Sequence, residues 1–149
     1  MTRIRRIVFA SDFSPASRPA FAAAQDLAKA LKAELLLMHA LEPIIDVSGV
    51  YPPYVGLAAL EKASRLRARS QIEGLATAAR KRRLRVQTVL VKGYPADQIL
   101  RLSRSRKADL IVMGTQGRTG FSRFVMGSVA TRVASGSRCP VMIVRATGA

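Results

Sequence analysis

The residues best suited to chemistry lie near the carboxy terminus, in Gly114-Thr115-Gln116-Gly117-Arg118-Thr119-Gly120 and, with nine residues between it and Gly117, in Gly127-Ser128. Gly114 and Gly117 leave room for a ligand to approach the backbone and can adopt φ > 0. Successive amides in such a stretch form a concavity that binds anions. Gly127-Ser128 falls where a helix is expected to begin, and free N–H groups and the helix dipole favour a phosphate there. The Ser128 hydroxyl adds a donor. Arg118 and Arg123 supply positive charge and can fork onto phosphate oxygens. Together these residues describe a polyphosphate cradle. The plainer alternative is a glycine-containing loop followed by a helix cap.

Other candidates are weaker. Asp12 follows the first apolar run and is either a helix-capping acid or a ligand; beside phosphates an acid fits best against ribose hydroxyls. His39, the one histidine, stands at a predicted strand end and reads as structural. Cys139, the one cysteine, reads as a small apolar residue, and a single cysteine excludes an internal disulfide framework and a Cys₄ zinc site. The chain has no GxxxxGK[ST] P-loop and no H-x-G-H pair. No carboxylate cluster offers to hold a catalytic metal. Phosphate binding is well supplied and a water-activating base is not, so no catalytic residue is assigned and any phosphate-ester or anhydride hydrolysis is expected to be slow.

These residues are positioned by alternating strands and helices. Residues 7–10 are a short apolar run and read as a buried strand. Ser14 and Pro15 read as the N-cap and first position of a helix whose buried face carries Phe21, Ala24, Leu27, Ala28 and Leu31. Residues 34–40 form the second strand. Residues 42–55, with three prolines, read as a long loop. A helix is expected over about 56–82, with Ala68, Ile72, Leu75, Ala76 and Ala79 on one face. Residues 85–91 form the third strand, and Gly93-Tyr94-Pro95 leads into a helix carrying Ile99, Leu100 and Leu102. Residues 110–113 form the fourth strand. The glycine-rich stretch 114–127 leads to a helix near 127–136, with Val129, Val133 and Ala134 on one face, and 140–144 is the fifth strand. This alternation implies parallel βαβ units in a three-layer α/β sandwich, expected as one domain over 1–149. In such sheets ligands bind beyond the carboxyl ends of the strands, where strand order reverses. That directs attention to the residues after strands one, two and four.

The chain resembles the universal stress proteins over nearly its whole length. The resemblance runs from Ile7-Val8-Phe9-Ala10-Ser11-Asp12 through Met38-His39-Ala40 to Ile111-Val112-Met113-Gly114, then Met126-Gly127-Ser128-Val129 and Cys139-Pro140-Val141. The G-x₂-G-x₉-G-S pattern marks the family's ATP-binding branch. The resemblance implies ATP, with Mg or Mn as its counter-ion held mainly by the phosphates. It places Ala10 and Asp12, with Ser11 between them, at the adenosine end, and Ala40 against adenine. Met113 and Gly114 match positions near ribose and phosphates. Gly117, Gly127, Ser128 and Val129 match the phosphate loop and helix start, with Arg118 inside that loop. It further implies sheet order 3-2-1-4-5 and a homodimer through strand 140–144. Two positions depart from the family's usual pattern. Gln116 stands where histidine is common, and Ala40 where a larger aliphatic residue is common, which loosens adenine packing.

The composition adds one unusual feature. Twenty-five Lys and Arg against nine Asp and Glu give a net charge of +16, a field that attracts nucleotides, nucleic acid or other anions. Residues 61–85 hold nine basic residues against Glu61 and Glu73. They read either as a solvated helix face or as a docking patch for nucleic acid, a membrane surface or an acidic partner. No aromatic residue interleaves with them, which disfavours single-strand recognition. No apolar run approaches the ~18 residues a membrane span needs, and 7–10 is too short for a secretory leader. The expectation is a cytoplasmic, ATP-binding regulator or sensor. The alternative is a basic binding module acting through 61–85 with a vestigial nucleotide site.

Overall fold

The computed structural model of the chain describes residues 3–44, 56–115 and 126–146. The elements are β1 (Arg6–Ala10), a 3₁₀ turn (Pro15–Ser17), α1 (Arg18–Leu31), β2 (Glu34–Leu41), α2 (Leu57–Lys81), β3 (Val86–Lys92), α3 (Pro95–Ser105), β4 (Leu110–Gly114), α4 (Ser128–Gly136) and β5 (Val141–Val144). The five strands form one sheet in the order β3-β2-β1-β4-β5, with every neighbouring pair parallel. The expected α/β class and strand order are therefore the observed ones.

Strand side chains alternate between two covered faces, which is why the strands read as continuous apolar runs. Ile7, Phe9, Leu35, Leu37, Leu110 and Val112 pack against α1 and α2. Val8, Leu36, Met38, Ile111 and Met113 pack against α3 and α4. The small residues Ala20, Ala24 and Ala28, four apart on α1, let that helix approach the sheet closely. On α2 the buried residues are Ala68, Ile72, Ala76 and Ala79, with Leu75 only partly buried. Among the described residues no helix is long and apolar enough to cross a membrane.

Three local expectations are corrected. On α1 the buried residues are Ala20, Ala24, Gln25 and Ala28, with Phe21 and Leu27 partly buried; Leu31, expected on the buried face, is exposed in the last turn, where the helix runs off the edge of the sheet. On α4 the buried residues are Ala130 and Val133, with Val129 partly buried. Ala134 is exposed, because it lies about 100° around the helix from Val133. At the start of α1, Pro15–Ser17 makes a 3₁₀ turn, and the α-helix begins at Arg18. Ser14 does occupy the cap position, but its side chain does not cap. Its hydroxyl donates instead to Asp12 Oδ1 at 2.6 Å, where the carboxylate is the stronger acceptor.

Three helix ends are built alike. Lys32, Arg83 and Lys107 stand just past α1, α2 and α3 with φ of 55°, 63° and 52°. The next residue closes each turn, with Ala33 N–H donating to Ala28 O, Leu84 N–H to Ala79 O and Ala108 N–H to Ser103 O. This is the Schellman arrangement, in which glycine is the usual left-handed residue. A basic side chain there costs about 1 kcal/mol, offset in part by its attraction to the helix carboxyl end.

Gly93 closes β3 with φ +142°, and its N–H donates to Leu41 O at 2.9 Å. A Cβ at this position would also meet the Gln98 side chain. Gly93→Ala is expected to cost about 1–3 kcal/mol and to lower the melting temperature by several degrees. An unchanged melting temperature would show that the turn relaxes freely.

Candidate functional site

The site begins where two strands part. β1 and β4 are in register from Ile7↔Leu110 to Phe9↔Val112. Beyond that point Ser11 N–H donates to Met38 O of β2 at 2.9 Å, whereas Thr115 N–H donates to Val144 O of β5 at 3.2 Å. One chain end follows β2 and the other follows β5, which opens a crevice between them. This is the point where strand order reverses, since β1 leads outward to β2 and β3 and β4 leads outward to β5.

Ala10, Ala40 and Met113 all lie at the carboxyl edge on the face covered by α3 and α4. Ala10 and Met113 belong to that face's apolar cluster, and Ala40 follows Met38 by one pleat. Ala40 and Met113 are buried, and Ala10 is partly buried. Gly114 is the last residue of β4, in register with Val144. It is extended rather than left-handed, so its contribution is the absence of a side chain.

The segment after β1 is a pair of nested turns. Phe13 N–H donates to Ser11 Oγ at 3.0 Å, and Ser14 N–H donates to Asp12 Oδ1 at 2.9 Å. Phe13 between them takes φ 62°. Side-chain oxygens of Ser and Asp replace backbone acceptors in such turns. Asp12 holds this turn through Oδ1 and is not a helix-capping acid, since Ser14 occupies the cap position and no side chain bonds from it. His39 supports the same segment from β2. Its Nδ1–H donates to Ser11 O at 2.7 Å, and its ring centroid lies 4.2 Å from that of Phe13. The structural assignment of His39 agrees with this geometry. Its link to Ser11, 28 residues away, has no signature in the sequence. Cys139 is partly buried in the α3–α4 cluster, with Ser137 Oγ 3.5 Å from its sulfur.

The other wall is the start of α4. Gly127 N–H donates to Thr115 O at 2.7 Å, so the amino end of α4 sits beside the carboxyl end of β4. Gly127 is the N-cap, with φ −63° and ψ 162°, and as glycine it has no side chain with which to cap this terminus. Gly127 O accepts from Thr131 N–H and Thr131 Oγ1, both at 3.0 Å. The first-turn amides of Ser128, Val129 and Ala130 precede the first intrahelical donor, as in any helix start. Gly117, Arg118 and Arg123 lie outside the described residues.

The basic run 61–85 does not form one surface. Glu61 Oε1 is 3.2 Å from Lys92 Nζ at the carboxyl end of β3. Arg82 Nη2, 2.8 Å from Asp26 Oδ1, lies past the other end of α2. Lys62 and Arg80 are separated by about 27 Å of helix, so the run divides between opposite edges of the sheet.

The fold is that of a doubly wound α/β protein whose switch point lies between β1 and β4. The sequence model of the Universal stress protein family matches residues 3–145, and the chain belongs to that family. It is 36% identical over 145 residues to a universal stress protein of Thermus aquaticus, covering 95% of this chain and 98% of that one. Among solved structures, universal stress protein UspA from Lactobacillus plantarum has the same fold, with a TM-score of 0.84 at 23% identity over 97% of this chain and all of that one. The universal stress protein from Archaeoglobus fulgidus in complex with dAMP matches with a TM-score of 0.70 at 21% identity, covering 97% and 100% of the two chains.

Asp12→Ala removes the acceptor shared by the Ser14 amide and hydroxyl. It should destabilise the ligand-free protein by about 1–3 kcal/mol, read as a lower denaturation midpoint in urea. An unaltered midpoint would mean that the carboxylate does not hold this turn.

Proposed function

We propose that the protein binds ATP in the crevice between β1 and β4 and acts as a nucleotide-dependent regulator in the cytoplasm, with at most slow hydrolysis. The observation that carries this reading is the Gly127–Thr115 hydrogen bond, which sets a helix start with a glycine N-cap at the mouth of the crevice. A helix amino terminus in that position favours an anion through both its amides and its dipole. On this reading the amides of Ser128 and Val129, with Gly114, Gly117 and Gly127, take the phosphates, and Arg118 adds charge. Ala10, Ala40 and Met113 form an apolar floor for the nucleoside. Asp12, with Ser11 behind it, meets the ribose. Ala40 leaves less apolar contact for the base than a larger residue would. Mg or Mn is held mainly by the phosphates. His39 braces the Ser11–Phe13 turn through Nδ1 and its ring, and this reading assigns it no catalytic step. The dAMP complex of the Archaeoglobus fulgidus relative supports an adenine nucleotide. Nucleotide binding would shift populations of the segments bordering the crevice and so change what the surface binds.

β5 pairs with β4 alone, and Met142 on it is 38% exposed. An unpaired edge of this kind invites pairing, and we infer a homodimer through 140–144. Sedimentation at tens of micromolar is expected to show dimer, and a monomer throughout would refute that assembly.

Ser128→Pro is a clean probe of the phosphate amides. Proline is tolerated at the first helical position, and the ψ of 162° at Gly127 suits a residue before proline. The variant deletes one amide and one hydroxyl donor without disturbing the helix. ATP at 100 times its Kd should stabilise the parent by about 2.7 kcal/mol, roughly 5–10 °C in melting temperature. The variant should melt like the parent without nucleotide and need at least tenfold more ATP for the same shift. No shift in the parent at millimolar ATP would refute the reading.

A further inference from the structure

In a parallel sheet all strands begin at one edge, and here that edge collects basic residues from separate parts of the sequence. β1 is entered through Arg3, Arg5 and Arg6, and β3 through Arg83 and Arg85. The turns into β2, β4 and β5 present Lys32, Lys107 and Arg138. All eight residues are exposed. Cross-strand bonds hold the leading segments side by side: Leu35 N–H donates to Arg85 O, Glu34 N–H to Arg5 O and Asp109 N–H to Arg6 O, at 2.8, 2.8 and 2.9 Å. At about 4.8 Å per strand the edge is roughly 19 Å wide.

Part of this charge has a structural use. Arg6 Nη1 donates to Arg106 O at 2.9 Å, and Arg85 Nη2 donates to Lys32 O at 3.2 Å. Both bonds satisfy carbonyls just past a helix end. Acidic groups offset another part. Asp109 Oδ2 accepts from the amides of Arg5 and Arg6, and Glu34 lies 3.7 Å from Arg6. Lys32, Arg83 and Lys107 are not accounted for in this way. Each occupies a left-handed position that favours glycine. Of the four non-glycine residues with positive φ among the described residues, these three are the basic ones, and all three lie on this edge.

We infer that the amino edge of the sheet binds the phosphate backbone of duplex DNA without reading its sequence. Arginine forks suit phosphate oxygens, and duplex DNA carries about one charge per 1.7 Å of axis, dense enough to engage several of these groups at once. Leu31 is the one large apolar side chain exposed beside this edge among the described residues, too little for insertion into a bilayer. No described aromatic side chain is exposed there to stack on unpaired bases. The edge lies across the sheet from the ATP crevice, so the inference stands independently of the nucleotide reading.

The test combines Lys32→Gly, Arg83→Gly and Lys107→Gly. Glycine suits all three turns, so the triple variant should fold and melt at or above the parent temperature. Binding to a 30-base-pair duplex is followed by fluorescence anisotropy against salt. The parent should show a log–log slope of about −5 or steeper, and the variant a slope shallower by about 2.7, from about 0.9 per lost phosphate contact. Its Kd at physiological salt should rise at least tenfold, and its ATP melting shift should stay that of the parent. A control removes the same charge from the other edge through Lys62→Gln, Arg65→Gln and Arg69→Gln, and should change Kd by less than threefold. Equal losses in both variants would reduce the effect to net charge and overturn the proposal. So would an unchanged slope in the glycine variant, or binding to phosphatidylserine vesicles without binding to the duplex.

Discussion

The structure depends on the parallel pairing of β1 with β2 on one side and β4 on the other. Three successive residues of β1, Ile7, Val8 and Phe9, are fully buried and alternate between the two helical layers. Once these strands run in one direction, each connecting helix must return across the sheet. The carboxyl ends and amino ends of the strands then gather on opposite edges. Those edges have different chemistry because different backbone groups and turns meet there.

At the carboxyl edge the central constraint is a divergence. Ser11 stays hydrogen-bonded to β2 and Thr115 to β5, so the backbone groups at the end of β1 remain satisfied while a gap opens beside β4. Buried backbone donors and acceptors rarely go unpaired, and here the crevice forms without orphaning them. His39 and Phe13 brace one wall, and the Gly127–Thr115 bond positions the other. The turn that holds Asp12 and the start of α4 are thus both tied to the same sheet.

At the amino edge, helix carboxyl ends meet strand beginnings. Partial negative charge at those helix ends attracts cations, and Arg6 and Arg85 answer it by bonding carbonyls beside the helix ends. The excess of positive charge beyond that need is a property of the assembled edge. It is invisible in any one segment, because it draws on residues from Arg3 to Arg138.

Periodicity in the sequence was enough to determine the strands, the helices and most of their buried faces. Whether Ile72 or Val112 is apolar is a local matter of burial, and burial leaves a period of 3.6 or 2. Gly127 as a helix cap and Ser128 as the first residue of α4 were equally legible, since each concerns a single cap, whereas Gly114, read as free to take φ > 0, is extended at the end of β4. Strand order was not contained in periodicity and came through family resemblance. Tertiary structure alone decided that Ala130 rather than Ala134 is buried, and that His39 supports Ser11. It also divided the basic run of 61–85 between two edges and brought Lys32, Arg83 and Lys107 together. Each of these depends on contacts between residues far apart in the chain, or on the angle at which one element meets another. Neither a residue's type nor its spacing encodes such contacts.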